Sequence, residues 1–315
     1  MRNSTLDIAR GIAIINVIGW HVLNFHSIYS DGWTLPIFFI IIGIFYQQSL
    51  TLKDIAIKKT NQLLIPHFIF SIPAIIFAII SYKSYSLKTI INPYLCINGS
   101  SWFLICTFIC YILFHLINLS KNKTYIILWG IIISLSGYYM NYIQIYGHRL
   151  ILPFFISTAM FSIGFITIGY AFRNIFLNPN KYFIFYIISI LANTILIHIW
   201  GCNGLEMVWN NYSQNYFIII TNAFLGSLTI NFISNFISKI KFINTIIADI
   251  GKKSLIILLL HGYLQHILTF NNSYISFILI IVSSYLLSRY IYKYMPSICG
   301  KKTVFKITNS HITIS

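Results

Sequence analysis

Between residues 8 and 295 the chain is a succession of apolar runs, each about 20 residues long and separated by short polar breaks. A helix of that length spans a hydrocarbon layer roughly 30 Å thick at about 1.5 Å per residue. Backbone groups in hydrocarbon must bond to one another, and continuous apolar runs meet that need as helices. The alternating strands of a barrel would look different. Only 8% of residues are charged and 57% are hydrophobic, whereas a soluble domain carries about a quarter charged residues. The chain therefore reads as all-α, a polytopic integral membrane protein. Ten candidate spans fall at about 8–29, 33–51, 62–82, 101–119, 124–141, 150–172, 182–200, 216–238, 253–270 and 273–295. The first run follows a short basic start, as a signal peptide would. It is too long for one, lacks a small-residue cleavage site and precedes many similar runs, so it reads as retained.

An even number of spans puts both termini on one side, and the basic residues choose the side. With the N-terminus cytoplasmic, 18 of the 21 lysines and arginines fall inside, leaving Lys83, Lys88 and Arg149 outside. Basic residues retained at the inner face orient membrane proteins. The same distribution accounts for the net charge of +16 without nucleic acid, which would need a basic face on a folded polar surface. The connections are short, no repeat is evident, and 1–315 reads as a single transmembrane unit. Of the longest outer connections, 83–100 and 201–215, the first suits a segment lying along the interface.

Cys96, Cys106, Cys110, Cys202 and Cys299 show no metal spacing, and no metal is expected. Cys106 and Cys110, one helical turn apart, read as lipid-facing or packing residues. The carboxylates are Asp7, Asp31, Asp54, Glu206 and Asp249, and none falls in the middle of a span. An ion-coupled carrier commonly keeps a buried carboxylate there, so that class is disfavoured and histidine becomes the candidate for chemistry.

In "LDIARGIAIINVIGWH" (6–21), eleven steps from Arg10 to His21 turn a helix by about 1100° and climb about 16 Å. Both side chains project from one face, Arg10 at the rim and His21 near the middle of the 8–29 span. A guanidinium binds phosphate, and a neutral imidazole takes a proton from a hydroxyl near pH 7. Asp7 can orient Arg10 by an i,i+3 pair. Spacing alone equally allows an orienting arginine and a structural histidine.

The same stretch resembles the first-helix signature of the acyltransferase family 3 membrane proteins, an Arg or Lys ten residues before a His. Further matches follow in order. "FFIIIGIF" (38–45) resembles the family's FFxxSGF stretch, with Ile42 where serine is usual. "KKTNQLLIPHF" (58–68) resembles the basic run before the third helix, with Gln62 in a region where many members carry another arginine. "SWFLICTF" (101–108), "FSIGFITIGY" (161–170) and "IGKKSLIILLLHGYL" (250–264) resemble later spans, the last with Gly251, Ser254 and His261 in place.

The resemblance implies a multi-pass enzyme of the bacterial plasma membrane. It would move an acyl group, usually acetyl from cytoplasmic acetyl-CoA, to a sugar hydroxyl of a lipid-linked or surface polysaccharide such as O-antigen or capsule. Acetyl-CoA would be a co-substrate, with no permanent cofactor. Arg10, assisted by Lys58 and Lys59, would bind CoA phosphates, and His21 would act as general base or carry the acyl group. His261 would line the same cavity, while His26, Trp102 and Glu206 are candidate acceptor contacts. Succinyl transfer is an alternative within the resemblance. A polysaccharide flippase would share the hydropathy but leave the Arg10/His21 pair and the histidine of the ninth span unexplained, and a glycan polymerase would be expected to carry a large outer loop, which these short connections do not supply.

Overall fold

Asn3 starts the first helix by accepting the Leu6 N–H on its side-chain oxygen at 3.2 Å, and Asp7 follows in the first turn, where a negative charge favours the helix dipole. In the computed structural model, residues 3–82, 101–145, 148–149, 152–201, 205–301 and 303–305 are described. The chain runs α1 (Ser4–Leu23), α2 (Pro36–Ile44), α3 (Leu52–Lys59), a π-helical turn (Thr60–Leu64), α4 (Ile65–Tyr82), α5 (Trp102–Asn118), α6 (Lys123–Tyr139), α7 (Ile156–Ala171), α8 (Arg173–Leu177) and α9 (Phe183–Trp200), followed by α10 (Tyr216–Ile237), α11 (Lys241–Lys252), α12 (Ser254–Ile267) and α13 (Ser273–Tyr294). Two antiparallel two-residue ladders complete it: β1 (Gln144–Ile145) with β2 (His148–Arg149), and β3 (Leu205–Glu206) with β4 (Asn211–Tyr212). The 83–100 connection, with Lys83, Lys88 and Cys96, lies outside the described residues, as does Cys202.

Among the described residues, five helices are long and apolar enough to cross a membrane: Ser4–Leu23, Pro153–Ala171, Phe183–Trp200, Tyr216–Ile237 and Ser273–Tyr294. The helices Trp102–Asn118 and Ser254–Ile267 are apolar but shorter. Ile184, Ile188, Leu191, Ile195 and Ile199 line one exposed face of α9, and Ile275, Ile278, Val282 and Leu286 one of α13. Apolar surface on that scale is stable against lipid, where helices keep every backbone group bonded. The protein is a helical membrane protein.

Among the described residues these five helices answer to five of the ten expected spans, and the first two expectations show where the sequence reading and the structure part. The first ends at Leu23 rather than 29, because Asn24 turns left-handed (φ 50°, ψ 33°) and gives its N–H to the Gly19 carbonyl. Asparagine is, after glycine, a common residue for that cap. The second, expected over 33–51, is a helix of nine residues, only about 14 Å long. All of it except Phe38 is buried. A new helix then begins at Thr51, whose hydroxyl accepts the Asp54 N–H at 3.2 Å while Asp54 accepts the Thr51 N–H at 3.4 Å, a capping box. Pro66, having no N–H, cannot donate to the Gln62 carbonyl, and the ladder widens ahead of it: the Ile65 N–H reaches the Thr60 carbonyl.

Glycines permit the two tightest crossings. Where α2 meets α7, a methyl on Gly43 would sit on the Ile166 carbonyl oxygen and 2.7 Å from the Tyr170 nitrogen, and one on Gly169 would sit on the Ile40 carbonyl. Where α1 meets α11, a methyl on Gly251 would fall on the Asp7 carbonyl and 2.9 Å from the Gly11 nitrogen. Without a hydrophobic drive between helices in lipid, such small-residue contacts supply the packing. Around them α1 also packs on α10, α12 and α13, and α7 on α5 and α6. Cys106 and Cys110 are fully buried, and the Cys110 thiol reaches the Ala159 carbonyl at 3.5 Å. Both are packing residues, and neither faces lipid.

Candidate active site

The left-handed turn at Asn24 fixes where His21 lies. It stands in the last turn of α1, exposed, rather than midway along a longer helix, and Arg10 lies in the second turn at the other end. The pair keeps the one-face relation the spacing predicts, about 16 Å apart along the axis.

Against the last turn of α1 packs α12. The His261 ring lies 5.3 Å from the His21 ring, centroid to centroid, tilted by 37°. His261 is 1% exposed, and its Nδ1 lies 2.6 Å from the Leu258 carbonyl oxygen. A carbonyl only accepts, so Nδ1 carries the proton and, in the neutral ring, Nε2 keeps a lone pair. One turn on, Gln265 donates its amide N–H to the His21 carbonyl at 2.8 Å, satisfying one of the carbonyls a helix end leaves unpaired. Among the described residues, neither ring nitrogen of His21 has a hydrogen-bond partner.

Beyond α1 the loop before α2 folds over the same end. The His26 ring stacks on Trp20 at 6.0 Å and 14°, and its Nδ1 lies 3.4 Å from the Asp31 carboxylate. Asp31 in turn accepts the Ser27 N–H and the Ser30 hydroxyl, both at 3.2 Å. The Tyr29 hydroxyl reaches His198 Nε2 at 3.3 Å, tying the loop to α9.

At the opposite end, Arg10 pairs with Asp7 at 3.6 Å, the carboxylate side chain only 3% exposed. Successive contacts link this end to the other cations. Gly251 lies against Asp7, and Lys253, two residues on, pairs with Asp249, which also accepts the Tyr285 hydroxyl at 2.8 Å. Arg289 lies 5.8 Å from the Tyr285 ring, and Lys301 lies 4.5 Å from that of Tyr292. Gly300 packs on Gln62, and Lys59 donates to Gln62 at 3.0 Å while lying 3.7 Å over the Tyr111 ring. Burial, with the charge of Lys59, lowers Lys58 below the ordinary lysine value against an opposing effect of Tyr111. Burial alone would raise the Asp249 carboxyl. Hydrogen bonds from Lys253 and Tyr285, and the charges of Lys253 and Arg289, outweigh it and hold that carboxyl below its ordinary value.

A family model described as an acyltransferase domain, that of acyltransferase family 3, matches residues 3–293. The chain belongs to acyltransferase family 3. No curated protein and no solved structure matches it. Membership makes the protein a membrane acyltransferase and leaves the flippase and polymerase readings without support.

In this acyltransferase the first-helix and penultimate-helix motifs meet twice, at Gly251 against Asp7 and at His261 against His21. The FFIIIGIF and FSIGFITIGY motifs meet at Gly43 and Gly169. Two further candidates have neighbours of their own. Trp102 packs on Phe103 and Phe155, both at 5.9 Å. Glu206 is exposed on the β3–β4 ladder and accepts the Asn211 amide at 2.8 Å. Sequence reasoning missed Gln265, although its i+4 spacing from His261 puts the two on one helix face. It also gave Asp31 no partner, and did not foresee the Asp249, Lys253, Tyr285 and Arg289 cluster.

Proposed function

We propose that the protein transfers an acetyl group from acetyl-CoA to a sugar hydroxyl of a lipid-linked or surface polysaccharide in a bacterial plasma membrane, with the Arg10 end of α1 cytoplasmic. The observation that carries this reading is the arrangement of α1. The Arg10 guanidinium and an exposed imidazole whose ring nitrogens have no hydrogen-bond partner among the described residues stand on one helix face, at a separation suited to a CoA phosphate and its thioester. Arg10, backed by Lys58 and Lys59, binds phosphate, and the pantetheine arm follows the helix face toward His21.

His21 is the general base. Its free nitrogen takes the proton of the acceptor hydroxyl as the hydroxyl oxygen bonds to the thioester carbonyl carbon. When the tetrahedral intermediate collapses, the carbon–sulfur bond breaks and the CoA sulfur receives that proton, returning His21 to its neutral form. The products are an O-acetyl sugar and free CoA. His26, held by Asp31 beside Trp20, and also Trp102 and Glu206 are proposed acceptor contacts.

The test uses membranes containing the protein, radiolabelled acetyl-CoA and the host's lipid-linked glycan, comparing wild type with His21→Ala. Label in the glycan for wild type and none for the variant is the expected result. Transfer that survives in His21→Ala removes the general-base role, and absence of transfer by wild type removes the proposed donor or acceptor.

A further inference from the structure

We infer that His261 and Gln265 are positioning residues for His21, His261 through its Nε2 lone pair and Gln265 through the His21 backbone; the inference rests on the general-base role proposed for His21. A base that must take a proton from a hydroxyl needs a defined tautomer and a defined ring direction, and in an imidazole the second nitrogen sets both. Among the described residues the His21 ring has no hydrogen bond of its own to set them. What faces it, at 5.3 Å between ring centroids, is an imidazole whose tautomer is already fixed by the 2.6 Å bond from Nδ1 to the Leu258 carbonyl.

That bond uses the only donor of the neutral His261 ring, so Nε2 is an acceptor. His261 is buried and held, while His21 is exposed and free to turn about its Cα–Cβ bond. A modest rotation brings a His21 N–H to hydrogen-bonding distance of His261 Nε2, about 3 Å. The other His21 nitrogen is then the unprotonated one, directed away from α12 toward the open side where an acceptor approaches. In hydrolytic triads a carboxylate orients the base in this manner. Here a neutral imidazole does so, and the partner of the base adds no negative charge of its own beside the incoming thioester. Gln265, on the same face of α12, holds the His21 carbonyl at 2.8 Å and so fixes the helix end that carries the base. Since α12 grips both ring and backbone of one residue, a shift of α12 relative to α1 moves the base out of line.

The test separates the Nε2 role from the structural bond at Nδ1. His261→Asn keeps an amide N–H where Nδ1 was and can still donate to the Leu258 carbonyl, but nothing remains at the Nε2 position. His261→Gln does the reverse. With the purified protein, acetyl-CoA and the lipid-linked glycan extracted from the host, CoA release is followed while each substrate is varied. Positioning predicts that His261→Asn keeps the melting temperature of wild type, loses roughly a hundredfold in kcat, in the range general-base catalysis contributes, and leaves KM for acetyl-CoA unchanged. It predicts that His261→Gln, although less stable, turns over faster than His261→Asn, and that Gln265→Leu also lowers kcat without raising KM. Activity of His261→Asn within a few-fold of wild type overturns the inference, because the Leu258 bond would then be all that His261 provides. So does a rise in KM with kcat intact. An active His21→Ala would instead remove the base itself, so failure of the inference and failure of the proposed function give different results.

Discussion

Asn61 offers a perturbation whose magnitude can be worked from four hydrogen bonds. Its side chain is 2% exposed. Its Oδ1 accepts the Val304 N–H at 2.9 Å and the Phe305 N–H at 3.0 Å, and its Nδ2 donates to the Phe305 carbonyl at 3.0 Å and the Ile57 carbonyl at 2.9 Å. Three of these bonds hold the segment after Gly300 against the π-helical turn. At about 1 kcal/mol net apiece, Asn61→Ala weakens that docking by about 3 kcal/mol, roughly a hundredfold in the opening equilibrium. The readout is hydrogen exchange in detergent micelles, resolved to single amides. Val304 and Phe305 are expected to exchange about a hundredfold faster in the variant, while buried α5 amides such as that of Leu104 keep their wild-type rates. Unchanged exchange at both tail amides refutes the reasoning and assigns the docking to other contacts, such as Gly300 on Gln62.

Arg10→Ala is expected to raise KM for acetyl-CoA at least tenfold while the protein still inserts into membranes; a change in turnover alone, measured by label transfer, contradicts the phosphate-binding role. Gly43→Ala drives a methyl into the Ile166 carbonyl, so a thermal unfolding midpoint several degrees below wild type is expected, in line with the roughly 1–3 kcal/mol of overpacking. An unchanged midpoint would mean that α2 and α7 separate without cost. For Asp249 the folded carboxyl lies below the ordinary value of 3.8, so its contribution to stability is present above that value and is lost as pH falls through the folded one. Asp249→Asn should therefore melt below wild type at pH 7, and the gap should close as the buffer is taken below about pH 4. A gap independent of pH rules out the charge as its cause.

Hydropathy and the resemblance made the helical membrane class legible, and the i,i+11 spacing put Arg10 and His21 on one face. The depth of His21 was not legible, because it depends on Asn24 adopting a left-handed turn in the middle of an apolar run. The brevity of α2 escaped for a related reason. Phe38–Phe45 is apolar whether it faces lipid or protein, and hydropathy does not distinguish the two. The meeting of His21 with His261 joins residues far apart in the chain. Spacing carries no information on it; the resemblance placed His261 in the same cavity, and the ring-to-ring contact itself follows from α12 packing along the last turn of α1. Gln265 was within reach, since it shares the His261 face by simple helical geometry. The basic cluster around Asp249 was partly visible as an i,i+4 pair with Lys253, but Tyr285 and Arg289 join it only through tertiary contact.

The burial of α2 has a consequence for how the protein is made. Too short to span a bilayer alone, α2 finds its partner surface on α7, about 120 residues later in synthesis. At roughly 5–20 residues per second, the nascent chain waits about 6–24 s with Gly43 facing no partner. The close crossing of Gly43 on α7 is therefore expected to form only after Gly169 has emerged. Slowing elongation between these two segments should lengthen the life of a protease-sensitive intermediate without altering the finished fold.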